Sequence, residues 1–175
     1  MNYKCFCDLN QYAIVGYMKS REIAVLLHNI RSTHNVGSVF RTADALGVSN
    51  IYLSGYTPTP LDKFNKPRRD VAKVALGAEK NIHWKYVKNS QKLIKKLKKD
   101  KYQIISLEQS SKSIDYKKVK VNYPVLFIIG NEVDGVEKNI LSLSDIVAEI
   151  PMMGDKESLN VSVAFGVALF RMLGV

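Results

Sequence analysis

The sequence predicts an α/β protein: a parallel-sheet sandwich with helices on both faces. Two observations carry that expectation. Short strand-like runs alternate with helix-like stretches from residue 23 onward, the pattern of strand–helix–strand units. The run at 124–129, PVLFII, is apolar at nearly every position, as a strand covered on both sides must be. A third observation bounds the size. The 175 residues show no repeat, no low-complexity tract and no internal boundary, so a single domain over 1–175 is expected, with 1–20 as a short N-terminal extension.

Taken in order, IAVLLHN at 23–29 reads as a buried strand. From Asn35, residues Val36, Val39, Phe40, Ala43 and Leu46 recur on one face, with Asn35 placed to cap the start and Gly47 just past the end. A second strand begins at Ile51. Residues 57–70 hold three prolines and a basic cluster, which predicts an exposed, mobile loop. A short helix over 71–79 and a strand at 83–87 follow. Residues 90–101 form a helix with a narrow stripe of Leu93, Ile94 and Leu97. Next come a strand at 103–107, a polar connection at 110–121, the central strand, a short helix at 137–143 and a last strand at 146–150. From about Ser158 the chain is helical and apolar or small nearly all round, so this helix is expected to be buried. Ser158 suits a helix cap better than Asn160 does. Ser162 and Gly166, one turn apart, would let another backbone come close.

The formal charge is +10, and it is concentrated. Residues 85–101 carry +7, residues 63–73 carry +4 and residues 112–120 carry +3, which together exceed the total, so the remainder is net acidic. Localised basic clusters favour a polyanionic partner, with Lys66, Arg68 and Arg69 in one and Lys95, Lys96, Lys98 and Lys99 in another as its expected contacts. No run is long and apolar enough to span a bilayer, and the start lacks a signal peptide's apolar core, so a cytoplasmic protein is expected. Cys5 and Cys7, the only cysteines, are read as free thiols. With three dispersed histidines they give no metal site.

Parallel sheets bind ligands beyond the carboxyl ends of their strands. Three such ends are polar: 28–35, 130–135 and 151–160. No G-x-G-x-x-G, G-x-x-x-x-G-K-[ST] or G-x-S-x-G is present, so the dinucleotide, P-loop and hydrolase-elbow signatures are missing. What is left is a polar site without a strong nucleophile, suited to a reaction in which a cofactor carries the reactivity.

The run NVGSVFRTADALG from Asn35, IIGNEVDGV around Gly130 and IPMMGDKESLNVSVA from Ile150 resemble, in order and spacing, the three signature motifs of the SpoU (TrmH-like) RNA methyltransferases of the SPOUT superfamily. The resemblance implies a deep C-terminal trefoil knot, a homodimer, and S-adenosylmethionine-dependent methylation of a ribose 2′-hydroxyl in tRNA or rRNA. It implies that the backbone around Gly130, Ile150, Met152 and Leu159, with Leu107 at the end of its strand, holds the cofactor. It places Asn35, Arg41, Glu132, Ser158 and Asn160 on the polar active-site positions. It also implies that Arg41 reaches the cofactor of the partner subunit. From the residues alone, Arg41 is a surface arginine on the polar face of its helix. Its planar fork suits fixing a phosphate or an attacking oxygen, and whether it takes the proton itself stays open. Two rival readings are a non-catalytic RNA-binding protein that retains the fold and a flavodoxin-like binder of small ligands. The second explains neither the motifs nor the charge.

Overall fold

The computed structural model describes residues 21–175; Cys5, Cys7 and the expected 1–20 extension lie outside the described residues. Seven strands form one sheet: β1 (Ile23–His28), β2 (Asn50–Ser54), β3 (His83–Val87), β4 (Gln103–Leu107), β5 (Ile114–Asp115), β6 (Val125–Ile129) and β7 (Ile146–Glu149). Their order is β3-β2-β1-β6-β4-β7-β5, and every pairing is parallel. The helices are α1 (Thr33–Ala45), α2 (Arg69–Ala75), α3 (Ala78–Asn81), α4 (Ser90–Lys99), α5 (Lys138–Leu141) and α6 (Val161–Leu173).

Strand alternation decides which side each helix covers. Val25 and Leu27 of β1, with Val125, Phe127 and Ile129 of β6, face a core completed by Val36, Val39 and Phe40 of α1 and Phe165, Ala168 and Leu169 of α6. Ala24, Leu26, Leu126 and Ile128 face the other core, closed by Ile94 and Leu97 of α4 and Ile140 of α5. β1 and β6, with helices on both sides, are buried at every position. At a typical 1.5–3 kcal/mol for each large apolar side chain buried, these two cores dominate the folded state. Where α1 meets α2, a Cβ on Gly37 would lie 2.8 Å from the Val71 carbonyl oxygen, so only glycine lets the two helices approach this closely.

Several elements differ from the sequence expectation. α1 is capped by Ser32, whose Oγ accepts the Asn35 N–H, so Asn35 lies inside the helix and its side chain is released for other partners. The expected helix over 71–79 is two pieces, because Leu76 and Gly77 both take left-handed backbone. The expected connection at 110–121 adds a short strand and a 3-10 turn (Tyr116–Lys118). α5 is a single turn. Within the expected exposed loop, residues 61–67 form a short hairpin. Leu61 bridges Pro67, and the Asp62 carboxylate accepts the N–H groups of Phe64 and Lys66.

The largest departure is α6. It is capped by Asn160, not Ser158, and it is not buried all round. Val163, Val167 and Phe170, at spacings of four and three, form a stripe that is 49%, 42% and 39% exposed. Sequence hydrophobicity reports that a face will be covered but not by which chain.

Candidate active site

Three neighbouring strands end together and create the site. Leu107 of β4 stands in register with Ile129 of β6 and with Ala148 of β7. One residue further on, Glu108, Gly130 and Glu149 begin a pocket of about 290 Å³. Its wall is the crossing segment from Ile150 to Leu159 and the first turn of α6, through Val161 and Ala164. Gln109 ties that segment down, donating from Nε2 to the Glu157 carbonyl at 2.8 Å.

The loop after β6 is a closed turn. Asn131 and Gly135 exchange backbone hydrogen bonds at 3.0 and 3.1 Å, and Asn131 Oδ1 accepts the N–H groups of Val133 and Asp134. Both glycines are required sterically. A Cβ on Gly130 would sit 2.4 Å from the Gly135 backbone, and Gly135 has φ of 67° with the Glu108 carboxylate against it. The Glu108 carboxylate in turn accepts the Val136 and Gln109 N–H groups. The pocket therefore offers bare backbone on one side and apolar Leu107, Ile129, Ile150 and Leu159 on others.

A polar relay runs along its edge. Glu132 Oε1 accepts from Asn35 Nδ2 at 2.9 Å, and Asn35 Oδ1 accepts from Asn160 Nδ2 at 3.2 Å. Asn160 Oδ1 then caps α6 by accepting the Ser162 N–H at 2.9 Å. The relay joins α1, the β6 loop and the start of α6, one member from each of the three motifs. Partial burial pushes the Glu132 carboxyl up. The Asn35 amide and the Arg31 and Ser32 N–H groups outweigh it, so Glu132 titrates below its ordinary range and is ionised at neutral pH.

Of the residues singled out from sequence, Leu107, Gly130, Ile150, Met152 and Leu159 all line the pocket, as do Glu132 and Ser158. Asn35 and Asn160 reach it through the relay. Arg41 is exposed on α1, does not line the pocket of its own chain, and has no hydrogen bond or ion pair among the described residues. The basic residues stand apart. Lys66, Arg69, Lys95, Lys96 and Lys99 are exposed, while Arg68 pairs with Asp70 at 3.1 Å and Lys98 with Asp145 at 2.7 Å. Sequence reasoning passed over Glu108, Gln109, Asn131, Glu149 and Glu157. Asn131 was legible inside the GNE triplet; the others become site residues only because three strands end in one row. Among the described residues no group of three His, Cys, Asp or Glu side chains could hold a metal, and no helix is long and apolar enough to cross a membrane.

Glu108, Glu132, Glu149 and Glu157 give this pocket an acidic lining in a strongly basic chain, and they fit a ligand carrying positive charge beside apolar surface. Fold and site define a class: an α/β domain with an acid-lined pocket beyond the carboxyl ends of a parallel sheet, closed by its own C-terminal segment. The chain belongs to the SpoU rRNA Methylase family, which matches residues 22–170. It is 29% identical over 157 residues to the tRNA (guanosine(18)-2′-O)-methyltransferase of Aquifex aeolicus, covering 87% of this chain and 69% of that one. It is 34% identical over 149 residues to a 23S rRNA (guanosine-2′-O-)-methyltransferase of Neisseria meningitidis, covering 84% of this chain and 56% of the relative. Among solved structures, an AdoMet-bound rRNA methyltransferase from Sinorhizobium meliloti superposes with a TM-score of 0.78 at 28% identity, covering 86% of this chain and 55% of that one. The chain thus spans between about half and two thirds of these relatives' length.

Proposed function

We propose that this chain is an S-adenosylmethionine-dependent RNA methyltransferase acting on a ribose 2′-hydroxyl. The observation that carries the proposal is the meeting of all three motif segments around one acid-lined pocket. S-adenosylmethionine supplies an electrophilic methyl group on a sulfonium, so the protein has no bond to activate by acid catalysis or metal. What the chain itself has to supply is the placement of the 2′-oxygen and a route for its proton. The apolar pocket walls and bare Gly130 backbone would hold the cofactor, and the carboxylates of Glu149 and Glu157, which line the same pocket, would balance positive charge on it. Glu132, ionised and fully engaged, is a poor proton donor. Its role is to fix Asn35 and, through Asn35, the Asn160 cap, so that Ser158 and the 2′-oxygen are placed. Arg41 fixes the attacking oxygen or an adjacent phosphate with its planar fork.

The exposed Val163, Val167 and Phe170 stripe supports a homodimer. A Cβ on Gly166, in the same helix, would lie 3.6 Å from Thr42 Cγ2, so the stripe runs beside the α1 surface that carries Arg41. A second copy packed on this face would bring Arg41 to its partner's pocket. The return of residues 150–160 from β7, beyond β4, to the α1 side of the sheet suits a trefoil knot. The substrate is a tRNA or rRNA in the cytoplasm. Mass-spectrometric mapping of ribose methylation in total RNA, with and without the protein, tests the proposal. A 2′-O-methyl mark should appear only with active protein, and unchanged maps together with no transfer of labelled methyl to bulk RNA would refute it.

A further inference from the structure

A second depression of about 510 Å³ lies between the segment after β2 and the edge strand β3. Its lining includes Tyr56, Lys63, Arg68, Trp84 and Tyr86. Tyr56 is 56% exposed and Tyr86 42%; Phe64, at the hairpin tip beside the groove rather than in its lining, is 69% exposed, with the Lys63 Nζ 5.0 Å from its ring centroid. Large aromatic rings held in water are unfavourable unless a partner covers them.

The groove is built rather than slack. Tyr86 Oη donates to the Gly55 carbonyl at 2.8 Å, and the Tyr56 N–H is accepted by Asn29 Oδ1 at 3.3 Å. Gly55 has φ of 64°, and a Cβ there would meet Asn29 at once. Thr57 below is pinned to Leu27 and Ile30. The 61–67 hairpin is closed by the Asp62 carboxylate, which two backbone N–H groups occupy. The net charge there is positive, with Lys63, Lys66 and Arg69 against the Asp62 carboxylate, which also lines the groove, and Arg68 paired with Asp70. Asn131 Nδ2 donates to Tyr56 Oη, so the groove shares a hydrogen bond with the loop that carries Glu132.

Resting on the function proposed above, we infer that this groove and the hairpin tip beside it are a stacking platform for single-stranded RNA: unpaired bases next to the methylated nucleotide lie on Tyr56 and Tyr86 in the groove and on Phe64 at the tip, with phosphates on Lys63 and Lys66. Aromatic faces between lysines suit a strand whose bases are free to turn outward, and a paired helix hides those faces. Continuity with the pocket through Tyr56 and Asn131 means that RNA presenting a ribose at the pocket runs into the groove. The platform favours unpaired nucleotides without selecting a base, because every base has a π-face.

The test is fluorescence titration of a single-stranded RNA oligonucleotide containing 2-aminopurine, using the full chain. Wild type should bind and quench the probe by stacking. Phe64→Ala and Tyr56→Leu should each weaken binding roughly tenfold and lose quenching, in line with alanine effects at stacked bases. Tyr56→Phe separates ring from hydroxyl: it breaks the bond with Asn131 and should retain affinity and quenching. A thermal shift with S-adenosylmethionine checks that Phe64→Ala is folded. Wild-type affinity and quenching in both Phe64→Ala and Tyr56→Leu would overturn the inference and leave the groove to a protein partner. So would equal losses in Tyr56→Phe and Tyr56→Leu, for Tyr56. No binding of any RNA by wild type would instead sink the RNA reading, and this inference with it.

Discussion

The pocket at the strand ends and the lysine helix α4 are opposites built on one sheet. The pocket is lined by carboxylates and bare backbone, its parts locked by hydrogen bonds across three segments. α4 buries only Ser90, Ile94 and Leu97 and holds its lysines in solvent. On the function proposed, one would work by geometry at short range, the other by a charge field that salt screens. The pocket should therefore fail sharply when a single atom is added, and the helix should fail gradually, one charge at a time.

The largest expected effect is Gly130→Ala. Its Cβ has nowhere to go between Gly130 and Gly135, so overpacking should cost about 1–3 kcal/mol, by urea unfolding, and abolish cofactor binding, by calorimetry. Normal cofactor affinity in this variant would mean the loop is plastic and the contrast is false. Arg41→Ala comes next. Exposed and unpartnered among the described residues, it should change stability by no more than about 0.5 kcal/mol. Misplacing the nucleophile should nevertheless lower turnover by about two orders of magnitude, measured as labelled methyl transfer with cofactor affinity intact. Mixing Arg41→Ala with Asn160→Ala should restore part of the activity if each site draws on two subunits. A mixture that stays dead while both variants dimerise would confine Arg41 to its own chain.

A smaller effect sets the relay apart from the surface. The folded-state pKa of Glu132 is depressed, so its stabilisation is present above the ordinary carboxylate range and is lost as pH falls through the folded value. The stability gap between wild type and Glu132→Gln should be widest near neutral pH and narrow in acid. A gap independent of pH would show that Glu132 contributes shape rather than charge. Least in size are the single lysines. Lys95→Gln, Lys96→Gln and Lys99→Gln should each reduce the slope of log affinity against log salt by about one counterion at most, with cofactor binding unchanged. Lys98→Gln should change it less, because Lys98 is paired with Asp145 and donates to the Leu143 carbonyl. Equal effects for all four would mean that the pair opens on RNA.

Periodicity alone determined the alternating parallel sheet, the buried β1 and β6, the core stripe of α1 and the segregated charge. These follow from local chemistry: apolar spacing must match the pleat or the helical turn whatever the rest of the chain does. The three motifs were legible as residues, and so were the glycines of the β6 loop. Tertiary structure decided the rest. Ser32 rather than Asn35 caps α1 because Asn35 is engaged across the chain by Glu132 and Asn160. Glu108, Gln109 and Glu157 became part of the site because β4, β6 and β7 end in one row and the last segment crosses it. The open side of α6 reads in sequence like any core helix. Hydrophobicity fixes how much surface must leave water, while contacts between residues a hundred positions apart fix where it goes.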